Sequence, residues 1–354
     1  MKANKLAIFS FGLSLFSAGA AIGQTSTTEP VGFVTVNVKA NSDATIAVPL
    51  NRSAFFKGVI QSISGTTITV AGTSPAWQTS PMQFVQSLPT QVSTYALKLA
   101  TGAKEGMIAK ITANGTNTIT IQLDAGDDLS GVKTEAVDGV GLGDHIDILA
   151  YWTPATLLSV VPPVGFSIAG FENPGPGINF GSSELYAHAG SNSWEDGING
   201  GDSTHSPLRF GAALIARNSS GADYAATFVG AVPMTTSRVR ISTLASNTAQ
   251  DQYIGYMAPV PEPIATPTNP NALGFPVQTG DSIQGFDNSI SGFNQGSAEY
   301  YVWNGAAWED GINGGEIHTT AVTLRPGFGY IFQKAPTPTP TSVVWVRVPG
   351  YLAP

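Results

Sequence analysis

The sequence has no cysteine and unusually few charged residues. Without cysteine, neither a disulfide framework nor a lipid anchor on an N-terminal cysteine is available. Charged residues make up 11% of the chain, whereas a soluble domain typically has about 25%. Disordered chains combine low hydrophobicity with high charge, but here 42% of the residues are hydrophobic. The composition therefore indicates a folded protein with a neutral, turn-rich surface.

Basic residues are the scarcer of the two charged classes. Two of the 16 basic residues lie within the first five positions, and the remainder face 24 acidic residues. This negative balance argues against nucleic acid and anionic lipid surfaces as partners.

No apolar run is long enough to cross a bilayer, which takes about 20 residues. The longest one, residues 6–16, follows a basic start and precedes small residues. This is the layout of a secretory signal peptide over residues 1–23, with cleavage after Ala20 or after Gly23. We expect a mature chain without a transmembrane segment, exported to the periplasm, the outer surface or the extracellular medium.

Helical periodicity is almost absent, whereas short strand-like segments recur between turn residues. Residues 60–70 predict a hairpin that turns at Ser64-Gly65, and residues 110–120 predict a second with Asn114-Gly115 in its loop. Frequent short strands are typical of sandwiches and barrels rather than of βαβ units. The predicted fold is all-β.

The second half of the chain contains an internal duplication. The eight residues Trp-Glu-Asp-Gly-Ile-Asn-Gly-Gly occur at 194–201 and again at 308–315. Collinear flanking matches pair residues 170–173 with 285–288, 184–186 with 299–301, and 208–211 with 324–327. Two copies of about 100 residues are too few and too long for a solenoid, whose repeats are about 20–50 residues long.

These observations predict three domains after the signal peptide. An N-terminal domain, either a β-barrel or sandwich-like, covers residues 24–150. Two duplicated β-sandwich-like units cover residues 151–245 and 246–354.

The repeated loop allows two interpretations of its polar residues. As turn architecture, its Asp-Gly and Asn-Gly-Gly steps supply the positive φ angles of tight turns. As a calcium site, its oxygen-bearing side chains would be ligands, although their spacing does not match an EF-hand. The calcium candidates are Asp196, Asn199 and Asp202 in the first copy and Asp310, Asn313 and Glu316 in the second.

A third interpretation is a sugar-binding platform, in which aromatic faces stack on sugar rings beside polar side chains. The candidate ligand-binding residues are Trp194, Asp196, Asn199, Trp308, Asp310 and Asn313. Further aromatics gather nearby at Tyr186, Tyr300, Tyr301 and Trp303. The alternative is that these large aromatics are simply buried in the core.

Catalytic signatures are weak throughout the sequence. The four histidines, His145, His188, His205 and His318, lack the spacing of a zinc helix, and no cysteine can assist them. No Gly-x-Ser-x-Gly elbow is present. Gly280-Asp281-Ser282 resembles the first block of one lipase class, but it lies deep in the chain and the other copy lacks the serine. We assign no catalytic residue and no cofactor beyond the calcium candidate.

Several short motifs together resemble a known group of proteins. They are Pro-Val-Gly-Phe-Val at 30–34, residues 56–70, Thr-Gly-Ala-Lys-Glu-Gly at 101–106, Gly-Asp-His-Ile-Asp-Ile at 143–148, and Pro-Gly-Phe-Gly-Tyr at 326–330. The chain is similar to an exported paralogous family of verrucomicrobial bacteria. The resemblance implies export and a β-rich fold, and it implies no activity.

The leading functional expectation is a non-enzymatic structural or adhesive protein of the cell envelope or extracellular space. Its partner would be a cell-surface or extracellular polymer or protein, and self-association is compatible with this role. The first alternative is a carbohydrate-binding protein that uses the repeated loops, and the second is a secreted hydrolase. Burial of Trp194 and Trp308 would favour the first expectation, whereas two facing carboxylates in one cleft would favour the hydrolase.

Overall fold

The computed structural model describes residues 29–72, 94–172, 175–317 and 322–352. Within them the chain forms 22 strands, two α-helices of four residues each and a short 3-10 helix at Gly350–Leu352. The predicted all-β fold is confirmed. The predicted signal peptide lies outside the described residues, and no helix inside them has the length and apolarity needed to span a bilayer.

Strands follow one another along almost the whole described chain. In chain order they are β1 (Val31–Val38), β2 (Ser42–Ala47), β3 (Phe56–Ser64), β4 (Thr67–Val70), β5 (Tyr95–Leu99), β6 (Ile108–Asn114), β7 (Thr118–Gln122), β8 (His145–Ala150), β9 (Ser167–Gly170), β10 (Glu184–Gly190), β11 (Ser193–Asp196), β12 (Ala213–Asn218), β13 (Tyr224–Ala231), β14 (Ser237–Ser242), β15 (Gln250–Gly255), β16 (Glu262–Pro263), β17 (Ser282–Gly285), β18 (Glu299–Trp303), β19 (Trp308–Asp310), β20 (Thr323–Leu324), β21 (Gly329–Lys334) and β22 (Ser342–Arg347). The α-helices are α1 (Glu135–Asp138) and α2 (Pro154–Leu157).

Six consecutive strands, β3 to β8, close into a barrel in the order β3-β4-β7-β6-β5-β8. Both predicted hairpins are confirmed, since β3 pairs with β4 and β6 pairs with β7. Gly65 turns the first of them at φ 60°. Alternate side chains such as Ile68, Ile119 and Ile148 fill the barrel interior.

The first sandwich combines a two-stranded sheet, β1-β13, with a five-stranded sheet, β11-β10-β9-β12-β2. Inward residues of both sheets form one core that includes Val36, Phe228, Ile168 and Trp194. The second sandwich repeats this topology, with β14-β22 facing β15-β21-β17-β18-β19. Its core includes Trp308 at the position equivalent to Trp194.

Strand pairing cuts across the predicted boundary at residue 150. β1 and β2 precede the barrel in sequence, yet they pair with β13 and β12 of the first sandwich. The physical reason is burial, because Val36, Val38 and Ile46 complete that sandwich's core. The barrel is therefore an insertion between the second and third strands of the first sandwich. The second sandwich likewise begins at β14, before residue 246.

The two sandwiches meet through reciprocal contacts. The backbone amide of Asp43 on β2 donates to the carbonyl of Gly292, and the amide of Asp251 on β15 donates to the carbonyl of Gly177, both at 3.0 Å. In each sandwich, the equivalent strand thus contacts the equivalent loop of the other sandwich. This is the arrangement of a twofold, isologous interface, built within one chain.

Candidate functional site

The first copy of the repeated motif folds as tight turns that follow β11. The Asp196 carboxylate accepts hydrogen bonds from the backbone amides of Ile198 (2.8 Å) and Asn199 (2.9 Å) and from the Asn199 side-chain amide (3.0 Å). These bonds lower the pKa of Asp196. Gly200 and Gly201 have φ angles of 77° and 95°, a region that favours glycine.

The second copy repeats this geometry. Asp310 accepts from the amides of Ile312 (2.9 Å) and Asn313 (3.0 Å) and from the Asn313 side chain (2.9 Å). Gly314 and Gly315 have φ angles of 78° and 90°. In both copies the polar residues of the motif satisfy each other, which is the turn interpretation.

Calcium binding at these loops conflicts with that geometry. Both carboxylate oxygens of Asp196 and of Asp310 face N–H donors, whose positive ends would repel a cation. Asp202 accepts from the amide of Thr204 at 2.9 Å and is exposed, as is Glu316. In the described parts of the chain, no three acidic or histidine side chains are grouped so as to hold a metal ion.

The two repeated tryptophans lie in the cores of their sandwiches. The exposed fraction of both Trp194 and Trp308 is 0%. Trp194 makes an edge contact with Phe166 (ring centroids 6.5 Å apart), and Trp308 makes one with Phe275 (6.1 Å). Neither indole face is open to a ligand, so the predicted stacking role of Trp194 and Trp308 is corrected to a packing role.

The other aromatics near the motif are divided between core and partly exposed positions. Tyr186 is buried, whereas Tyr300, Tyr301 and Trp303 are half-buried on β18. His188 is buried against Trp194 and bonds the carbonyl of Pro163 through Nδ1. His318 lies outside the described residues.

Asp281 of the Gly280-Asp281-Ser282 sequence is a structural residue. It is fully buried, forms an ion pair with Lys334 at 2.5 Å and accepts from the amide of Ala335 at 2.7 Å. The Ser282 side chain is also fully buried. The serine therefore has no access to a substrate.

A different site is formed where the barrel meets both sandwiches, and we call it the junction cleft. Its volume is about 350 Å³. The barrel contributes Lys110 on β6, the first sandwich contributes Glu172, which follows β9, and the second contributes Arg238 on β14 and Tyr253 on β15. The cleft therefore exists only in the assembled chain.

Ion pairs hold the barrel at the rim of this cleft. Arg209 of the first sandwich binds Asp124, which follows β7, at 2.5 Å. Arg240 of the second sandwich binds Asp127 of the same barrel loop. One barrel loop is thus fastened to both sandwiches.

Beside the cleft, two carboxyl groups share a hydrogen bond. Glu184 on β10 accepts from the Glu172 carboxyl and from the Tyr186 hydroxyl. Burial, together with the nearby Glu184, raises the pKa of Glu172 to about 7. Burial also raises the pKa of Glu184. The opposing effects of Arg209 and Lys110 are smaller, and the two carboxyls titrate as a unit.

In the second sandwich the equivalent residues form a different set of contacts. Glu299, the counterpart of Glu184, forms an ion pair with Arg325 at 2.9 Å. In the first sandwich the counterpart of Arg325, Arg209, instead points to the barrel. In the first sandwich, therefore, the arginine forms its ion pair with the barrel and not with the carboxyl groups. Without that ion pair, the raised pKa of Glu172 allows the carboxyl pair to keep a proton.

Sequence reasoning missed Glu172 and Glu184 as a pair, although a signal was present. Both copies carry an acidic residue after Gly-Phe and a glutamate at the start of the next strand. Antiparallel pairing of Glu184 with Gly170 brings the two segments together. Gly170 also gives the glutamate room, because a Cβ there would lie 2.4 Å from Glu184 Oε2.

The chain was compared with protein-family models, with curated proteins and with solved structures, and it matches none of them.

Proposed function

We propose that the protein is an exported, non-enzymatic structural or adhesive protein of the cell envelope or extracellular space. The observation that carries the proposal is that the most closely repeated segments, residues 194–201 and 308–315, form turns and core contacts. The repeated loops satisfy their own polar groups, and their tryptophans are buried. The reciprocal interface then fixes the two sandwiches to each other. The signal-peptide pattern and the resemblance to an exported family support the location.

An exposed apolar loop supports contact with a partner. Val137, Val140 and Leu142, in and after α1, are 85%, 92% and 61% exposed. Clustered exposed apolar side chains are typical of interaction surfaces. Because these side chains make no contribution to the core, the loop is a suitable place to bind a polymer or protein of the cell surface.

Cell fractionation tests this proposal. We expect the native protein to be recovered with sheared cell-surface material, and serine at positions 137, 140 and 142 to reduce that recovery without lowering the melting temperature. Serine at Ile178, Ile198 and Ile312, which are exposed singly in three different loops, is the matched control. Recovery of the wild-type protein only as a free periplasmic monomer would contradict the proposal.

The carboxyl pair favours one alternative, a secreted hydrolase. However, glycosidases hold their two carboxyls about 5 Å or more apart so that a sugar or water fits between them. Glu172 and Glu184 are hydrogen-bonded directly. Hydrolysis of a polysaccharide by the wild-type protein, lost in Glu172→Gln and in Glu184→Gln, would establish the hydrolase instead.

A further inference from the structure

Two cations in the junction cleft form no ion pair with any described residue, although the Glu172 carboxyl interacts electrostatically with Lys110. Lys110 and Arg238 both line it and are half-buried. Within the described ranges, neither side chain takes part in an ion pair or a hydrogen bond. The two barrel aspartates at the rim are already held by other arginines. The cleft therefore presents two available positive charges.

The equivalent cavity of the other repeat does not share this property. It has a volume of about 280 Å³ and includes Lys39 and Arg325 in its lining. Lys39 is paired with Asp223 at 2.9 Å, and Arg325 is paired with Glu299 at the same distance. Free cations are thus specific to the cleft that the barrel completes, and do not follow from the repeat itself.

The walls of the cleft carry planar rings. Phe171 of the first sandwich and Tyr253 of the second stack in parallel, with centroids 3.6 Å apart. Tyr151 and Phe210 contact each other at 4.9 Å. All four are half-buried. The facing sides of Phe171 and Tyr253 cover each other and Phe180 packs against both, so these rings offer their edges to the C–H surface of a sugar. The volume suits a small ligand.

The carboxyl pair at the edge of the cleft adds little repulsion toward an anion. Burial and the neighbouring Glu184 raise the pKa of Glu172 to about 7, so below that pH the Glu172 carboxyl in the cleft is protonated and uncharged. The Tyr186 hydroxyl donates to the Glu184 carboxyl group. An anionic ligand near Lys110 and Arg238 therefore meets a net favourable potential.

We propose that the junction cleft binds a small, hydroxyl-rich ligand that carries a carboxylate or a sulfate, that is, an acidic saccharide. Lys110 and Arg238 bind the anionic group through charge-assisted hydrogen bonds, and the aromatic side chains pack against the sugar ring. The site is separate from the repeated loops. The binding proposal does not depend on where the protein is located, so it would remain valid if the adhesive proposal failed.

Calorimetric titration of the mature chain at low ionic strength tests the proposal with two matched pairs of probes. Digalacturonate is compared with its neutral dimethyl ester, and glucose 6-sulfate is compared with glucose. We expect the charged member of at least one pair to bind about tenfold or more tightly than its neutral partner, as expected for one charge-assisted contact. The pair that shows the difference identifies the anionic group.

Variants assign that binding to the cleft. Lys110→Gln and Arg238→Gln each remove the charge and leave a shorter, unbranched polar side chain, and each is expected to weaken binding about tenfold. Lys133→Gln, a barrel variant outside the cleft lining, is the control. Melting curves identify any variant that fails to fold, and the other variant then decides. Equal binding of charged and neutral probes, or binding that neither variant weakens, would overturn the proposal.

Discussion

Asp43 and Asp251 occupy equivalent positions on the two sides of the interface between the sandwiches. The Asp43 carboxylate accepts from the amide of Asn294 (2.9 Å), and the Asp251 carboxylate accepts from the amide of Asn179 (2.8 Å). Both asparagines have positive φ angles, 52° and 54°. The interface is thus duplicated at the level of single hydrogen bonds.

Removing either aspartate should weaken the interface. We expect Asp43→Ala and Asp251→Ala each to lower the free energy of unfolding by about 1–3 kcal/mol. Each carboxylate accepts from a backbone amide across the interface and from a side chain, Arg217 or Gln333, and these donors lose a charged acceptor. Chemical denaturation of the protein measures this. Glu195→Ala is the control and should change little, because Glu195 is exposed and its carboxylate takes part in no hydrogen bond or ion pair with the described residues. A control effect as large as the other two would refute the assignment.

A second prediction concerns close backbone approach at the same interface. A Cβ at Gly255 would lie 2.7 Å from the carbonyl oxygen of Ala212 and 2.8 Å from the Cβ of Ala47. Because backbone cannot move aside cheaply, Gly255→Ala should lower the free energy of unfolding by about 1–3 kcal/mol. Gly181→Ala, where no atom lies within 4 Å, should be neutral. Equal melting temperatures for the two variants would contradict the close approach of the sandwiches at Gly255.

The fully buried tryptophans yield a third prediction. Trp194→Ala should cost about 3–5 kcal/mol of unfolding free energy, because a large core side chain is replaced by a cavity. Ile198→Ala in the same loop, where the isoleucine is 51% exposed, should cost less than about 0.5 kcal/mol. Thermal and urea denaturation compare the two. A Trp194→Ala protein of wild-type stability would restore the ligand-binding interpretation of the loop.

The carboxyl pair leads to a prediction about pH. Since the pKa of Glu172 is raised from 4.5 to about 7, the folded protein holds a proton that the unfolded chain releases. Its contribution to stability is complete below pH 4.5 and is lost as the pH rises through 7. We expect a loss of about 2–3 kcal/mol over this range.

Glu172→Gln tests this, because it keeps the shape of the protonated form and cannot titrate. The difference in unfolding free energy between wild type and Glu172→Gln should change steadily between pH 5 and pH 7. Asp202→Asn is the control, since the pKa of Asp202 is lowered and its titration lies below this window. Parallel pH curves for wild type and Glu172→Gln would exclude the shared proton.

The local parts of this fold are readable from the sequence, and the long-range parts are not. Ser64-Gly65 and Asn114-Gly115 predict hairpins because turn chemistry acts within a few residues. The pairing of β1 with β13 has no such signature, and the apolar alternation of β1 fits a barrel as well as a sandwich. Because of that ambiguity, the sequence-based boundary at residue 150 groups β1 and β2 with the barrel, which follows them in the chain.

The site shows the same division. Asp196 and Asn199 stand three residues apart, and their turn geometry follows from that spacing. The junction cleft combines Lys110, Glu172 and Arg238 from three units. No local pattern indicates that these side chains converge, because their proximity depends on how the units pack.

The insertion of the barrel also sets the order in which the chain can fold. The hydroxyls of Thr35 and Thr227 lie 2.8 Å apart although 192 positions separate them. Such distant contacts form slowly, whereas the barrel strands are consecutive and can pair soon after they appear. The first described strands to emerge during synthesis are therefore among the last to be enclosed. Until then β1 and β2 have unpaired edges, which makes this interval the time of greatest risk of aggregation.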